Sequence, residues 1–324
     1  MSAARVGLVG IVAAVVVLPW IVPSFTVFEL TFVGAYAIAI LGLGILTGTS
    51  GQISLGHGAF LALGGYTIAV AATHAGVPYV LSVPLAGVLC AIAGVGIGYV
   101  ATRLEGAYLA LATFALAVSV PSLIKRFKPL TGGAQGLTIS TVHAPTALTA
   151  LGTDRWLYYV TWLLVAALFA LAWFILKGRV GRSLRALRDS EVAAAAFGID
   201  PVFYKTLAFG WSAAYAGVGG ALLAIATSYV GPDVYSFALS ITLLVGAVLG
   251  GLDSLWGALI GGVVVEFLPL WAQKVSAAAP AVVQGVAVIL VMIFFPGGIA
   301  GSLGLAVRRL ARREPAPLHP AATE

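Results

Sequence analysis

Residues 27–46 read VFELTFVGAYAIAILGLGIL, with one charge, Glu29, near the start. At 1.5 Å per residue, a helix of about twenty residues covers about 30 Å, the thickness of a bilayer's hydrocarbon core. Comparable runs recur outward in both directions, at about 6–22, 56–74, 79–101, 106–124, 156–176, 203–227, 236–251, 256–273 and 281–301. The chain of 324 residues is 61% hydrophobic and 9% charged, with a mean hydropathy of +1.08. Soluble domains carry charge on about 25% of residues, so there is too little polar surface here to clothe a water-soluble globule. In lipid each segment must satisfy its own backbone polar groups, so the runs read as helices. The sequence predicts an all-α, polytopic transmembrane helix bundle of about ten spans, with residues 1–324 forming one domain. Pro23, Pro78, Gly231-Pro232 and Pro280 fall in the connections, where helix breakers belong.

Basic residues set the orientation. With the N-terminus inside, Arg5, Arg103, Lys177, Arg179, Arg182, Arg185, Arg188, Lys205, Arg308, Arg309, Arg312 and Arg313 are cytoplasmic, twelve of the 17 Lys and Arg residues. Both termini are expected in the cytoplasm, with a basic tail at 302–324. The net charge of +6 follows from this bias and calls for no nucleic-acid partner. The first run lacks a small-x-small cleavage site, so it reads as a retained helix rather than a signal peptide. Cys90 is the single cysteine, cannot form an internal disulfide, and lies in an apolar run where it reads as helix packing.

Enzyme signatures are missing: there is no H-E-x-x-H, C-x-x-C, G-x-S-x-G or G-x-x-x-x-G-K-[ST]. His57, His74, His143 and His319 have no ligand spacing among them. The chain is expected to catalyse nothing and to hold no metal or cofactor of its own; any ATP and magnesium would be bound by a separate subunit. Charges inside the bilayer are costly and usually functional. The one deep candidate is Glu266, read as facing the bundle interior or the outer interface and paired with Lys274 or a backbone group. GQISLGHGAF at 51–60 places Gln52, Ser54 and His57 among three glycines. These three side chains are expected to satisfy backbone groups at a broken helix end or to line the inner mouth of a pathway. The pattern G-x-x-S-L recurs at Gly251, Ser254 and Leu255, a weak internal echo of the kind duplicated transporter halves show.

Two loops are long. The outer one, about 125–155, is rich in Gly, Thr and Ala. The inner one, about 177–202, contains KGRVGRSLRALRDSEVAAAAFGID. Arg182, Arg185 and Arg188 recur every three residues around Leu184 and Leu187, which is helical spacing for a surface segment. Asp189 and Ser190 are placed to cap a second short helix from Glu191 through an alanine run; Gly198 ends it and Pro201 prevents its continuation. An ordinary basic loop accounts for the arginines but not for the helix with defined ends.

This segment resembles the EAA loop of ABC importer permeases, with Glu191 and Gly198 at the matching spacing and Val192 replacing the first Ala. Together with GQISLGHGAF, LEGAYLALATFALA, LTGGAQGL and GGLDSLWGALIGG in the same order, it resembles the branched-chain amino acid ABC transporter permeases of the LivM-like subfamily over roughly 41–298. Departures from the pattern are Asp253 in GGLDSLWG and PGGIAG at 296–301. The resemblance implies a permease subunit of an ATP-binding-cassette importer in a bacterial inner membrane. Its implied partners are a second related permease subunit, two cytoplasmic ABC ATPase subunits and a periplasmic or extracellular substrate-binding protein. Arg182, Arg185, Arg188, Glu191, Ala194, Ala195 and Gly198 would form the ATPase-coupling loop, and the segment 131–137 would face the binding protein. Leucine, isoleucine and valine are the implied substrates. Urea, short amides or aromatic acids handled by the same mechanism stay open, and an ATP-independent ion-coupled carrier or channel is a further alternative.

Overall fold

The computed structural model describes residues 15–104, 106–142, 151–274, 276, 279–295 and 297–302. Helices dominate. A helical turn at 15–21 (α1) leads to α2 (Ser24–Leu43), which widens into a π-helical stretch, Gly44–Thr49. There follow α3 (His57–Ala75), α4 (Tyr79–Ala101), α5 (Ala107–Arg126) and the short α6 (Lys128–Thr131). The second half holds α7 (Thr153–Lys177), α8 (Arg179–Asp189), α9 (Glu191–Ala196), α10 (Pro201–Thr227), α11 (Phe237–Gly250), α12 (Leu255–Gln273) and α13 (Ala279–Phe294). Leu137–Thr138 (β1) pairs antiparallel with Tyr229–Val230 (β2) at the end of the bundle opposite α8 and α9. Lys125 and Asp233 form an ion pair at 2.7 Å.

Eight described helical stretches are long and apolar enough to cross a membrane. The protein is therefore a multi-pass membrane protein built as an all-α bundle. Of the ten expected spans, one is untested and one falls short. The run at 6–22 lies mostly outside the described residues. The run at 236–251 is the 14-residue α11, about 21 Å long at helical rise and so shorter than the hydrocarbon core. Its end is fixed at Gly251, whose φ of +111° is a conformation open to glycine and costly for other residues.

Small residues decide how closely the helices approach. α10 is the central helix, with 89% of its most apolar stretch buried, and it packs on α2, α3 and α4. A Cβ on Gly64 would collide with Gly217 O, one on Gly220 with Leu61 O, and one on Gly219 would lie 2.8 Å from Ala35 O. Cys90 is buried at the α4–α10 contact, where a Cβ on Gly217 would meet its Sγ at 2.5 Å. α12 packs on α2 and α11 through Gly262, Gly261 and Gly257. By contrast α5, α7 and α13 are only 22%, 17% and 6% buried over their apolar stretches. An apolar helix that the chain leaves uncovered is matched to lipid or to another membrane subunit.

Candidate functional site

The α8–α9 segment forms one face of the bundle, and its local structure follows from its sequence. Leu184 and Leu187 are buried, and Leu184 packs into a cluster with Leu46, Ala101, Leu109, Ala208 and Phe209. The helix is thereby anchored along one side. Ser190 ends α8 in extended backbone and its hydroxyl accepts from Ala193 N at 3.3 Å, capping α9. Gly198 follows α9 at φ +81°, the left-handed position that glycine supplies after a helix. Asp200 then caps α10, accepting from Val202 N at 2.9 Å, with Pro201 in the first turn.

Side-chain direction divides the segment into two faces. Arg182 Nη1 donates to Lys177 O at 3.3 Å and Arg185 Nη2 to Leu176 O at 3.1 Å, so both arginines turn back onto the last carbonyls of α7. Cations placed there complement the helix dipole. Lys177 Nζ lies over the Trp173 ring at 3.9 Å. Arg188 donates to Gly48 O and to Asp253, and the carboxylate beside it raises the guanidinium's already high pKa. Glu191 pairs with Lys205 of α10. Ala194 is buried, Ala195 is exposed, and Val192 and Phe197 are 84% and 88% exposed. α9 thus presents Val192, Ala195 and Phe197 outward, beside the exposed Arg182, Arg185, Arg188 and Asp189 of α8.

The turn between the π-helical stretch and α3 sits directly against this segment. Gln52, Ser54 and His57 are all buried. Gln52 Nε2 donates to Ser50 Oγ at 2.9 Å and to Lys205 O at 3.3 Å, linking the turn to the residue that pairs with Glu191. Ser54 Oγ accepts from Gly56 N at 3.3 Å. Thr113 of α5 accepts from Leu55 N at 2.9 Å and Ser240 of α11 from Gly58 N at 2.8 Å, so neighbouring helices satisfy the open N-terminus of α3. His57 Nε2 lies 2.7 Å from Ser212 Oγ of α10. Gln52 Oε1 and His57 Nδ1 have no partner among the described residues.

The expected site residues thus fall into two joined groups, with Glu266 apart from both. It lies on α12, with Glu29 and Tyr36 of α2 within electrostatic reach. The expected pairing with Lys274 is absent among the described residues, whose three ion pairs lie elsewhere. Lys274 lies just past the end of α12, eight residues beyond Glu266, more than the one-turn spacing at which helical side chains meet. Sequence reasoning missed Ser212, Ser240, Thr113 and Lys205, because no spacing rule links hydroxyls or a lysine on separate helices. No group of three or more His, Cys, Asp or Glu side chains suited to a metal ion is found among the described residues.

Residues 25–295 match the family described as branched-chain amino acid transport system, permease component. The chain is 31% identical to the high-affinity branched-chain amino acid transport system permease protein LivM of Escherichia coli, over 90% of this chain and 74% of that protein. It is 28% identical to the permease protein LivH of the corresponding system of Salmonella typhimurium, over 84% and 92%. It is 27% identical to the permease protein BraD of Pseudomonas aeruginosa, over 84% and 93%. No solved structure matches.

Proposed function

The chain belongs to the family of branched-chain amino acid transport permeases, and from that premise we propose that it is the membrane-spanning permease subunit of an ATP-driven importer for leucine, isoleucine and valine. The observation that carries the reading is the α8–α9 segment: two short helices, the first anchored by Leu184 and the second capped by Ser190, with Val192, Ala195 and Phe197 displayed at the surface. Exposed apolar side chains of α9 set beside the exposed arginines of α8 fit docking of a cytoplasmic ATPase subunit. ATP and magnesium would bind that subunit, and this chain would contribute no catalytic residue. Matches to both LivM and LivH of the branched-chain systems support pairing with a second, related permease. A binding protein outside would deliver the amino acid, near the 131–137 turn and the β1–β2 pair. The bacterial relatives favour the bacterial inner membrane, with α8–α9 and both termini on its cytoplasmic side.

In mechanical terms, ATP-driven closure of the ATPase pair would bind one arrangement of α8–α9 better than the other. That difference in affinity is the free energy available to switch access. Gly-rich contacts around α10 bring backbones together without interlocking side chains, which suits sliding of packed helices. The test is uptake into proteoliposomes holding the chain with its co-purifying partners. Leucine is expected to accumulate only with ATP, and urea not at all. Leucine uptake by this chain alone without ATP overturns the mechanism; urea uptake in place of leucine overturns the substrate.

A further inference from the structure

Asp253, where the glycine turn before α12 departs from the pattern the sequence resembles, meets Arg188 of α8. The guanidinium forks across two elements. Its Nη1 donates to Gly48 O, in the last turn of the π-helical stretch, and to Asp253 Oδ1; its Nη2 reaches Asp253 Oδ2 at 3.4 Å. Gly48 and Leu252 touch backbone to backbone, since a Cβ on Gly48 would collide with Leu252 O. The end of α2 and the start of α12 therefore form one junction, and Arg188 ties α8 to it. Gly251 lies in the same junction, where a Cβ would meet Gly297 O at 2.9 Å near the end of α13.

Two features separate this pair from a static surface bridge. Cavities of about 670 Å³ and 300 Å³ lie on either side and share Arg188 and Asp253 as a common wall. The side chains are 42% and 67% exposed, so the fork opens into solvent-accessible space without stranding a buried charge. As a bridge alone, such an exposed pair shifts a folding equilibrium by about fivefold at most. Its placement across three helix ends gives it a different use.

We propose that the Arg188–Asp253 pair is the joint through which movement of α8–α9 is passed to the ends of α2 and α12, a positioning pair for transport and not a substrate contact. This rests on reading α8–α9 as the ATPase-docking segment. Planar, forked donation is what Arg supplies and a lysine ammonium does not, so both charge and shape are used.

The experiment measures leucine uptake and ATP hydrolysis together in proteoliposomes of the complete complex. D253N is expected to leave assembly and substrate-stimulated hydrolysis within about twofold of wild type. Leucine imported per ATP is expected to fall by about three- to tenfold. D253E, which keeps the charge, restores the ratio, and R188K, which keeps charge but loses the fork, lowers it. A wild-type ratio in both D253N and R188K overturns the proposal, as does D253E failing as badly as D253N, or uptake and hydrolysis falling in equal proportion. Failure of the underlying functional reading looks different: the wild-type complex itself then shows no ATP-dependent leucine uptake.

Discussion

His57 shows what a single residue contributes in this bundle. Its ring is buried, with Nε2 held at 2.7 Å by Ser212 Oγ, so α3 and α10 share one polar contact inside an apolar interface. Ser212→Val is expected to cost about 1–3 kcal/mol, the penalty of leaving a buried polar atom unpaired. The check is a lower unfolding midpoint in detergent, with His57→Ala/Ser212→Val losing less than the two single changes combined. Glu191→Lys sets two ammonium groups together where Glu191 now meets Lys205. We expect normal membrane insertion and loss of ATP-dependent leucine uptake by more than about tenfold, read in the same vesicles as hydrolysis. The start of a short helix at Glu191 was legible from its spacing to Gly198. Its partner Lys205 was not, because fourteen residues and a chain reversal separate the pair.

Elements obey simpler rules. α9 is six residues long, too short to be stable alone, and it persists through the Ser190 cap and Gly198. Nothing lies within 4 Å of a Cβ added at Gly198, so replacement is penalised by backbone conformation alone. Gly198→Val is expected to cost about 1–2 kcal/mol and Gly198→Asn less, as measured by the thermal midpoint of the purified chain. Phe197→Asp places charge on an exposed ring position; the unfolding midpoint is expected to stay unchanged while the ATPase co-purifies poorly. α2 illustrates where an element escapes sequence reading. The apolar run at 27–46 announces a span, yet its last turns widen into a π-helical stretch at Gly44–Thr49. Periodicity over one turn cannot separate 3.6 from wider winding, although such stretches frequently mark functional sites.

Across the whole molecule, burial sorts the helices into a centre and a periphery. Ala216 on α10 is fully buried and Val286 on α13 half exposed. Ala216→Trp is expected to abolish a monodisperse detergent-solubilised protein through overpacking, whereas Val286→Trp leaves the midpoint unchanged; size-exclusion profiles report both. The length and apolar content of its recurring runs determined from sequence alone that this is a multi-pass helical membrane protein. Helix ends were also legible, as at 79–101, because Pro78 and the charges after Ala101 break the apolar run. Which helix occupies the centre was not, since α10 and α13 are both apolar and only packing tells a buried glycine face from a lipid-facing one. The sequence likewise placed Gln52, Asp253 and the Arg188–Glu191 loop on three separate segments. Only the tertiary structure brought them into contact, because hydrogen bonds and ion pairs between helices depend on how the chain crosses itself, which hydrophobic periodicity does not encode.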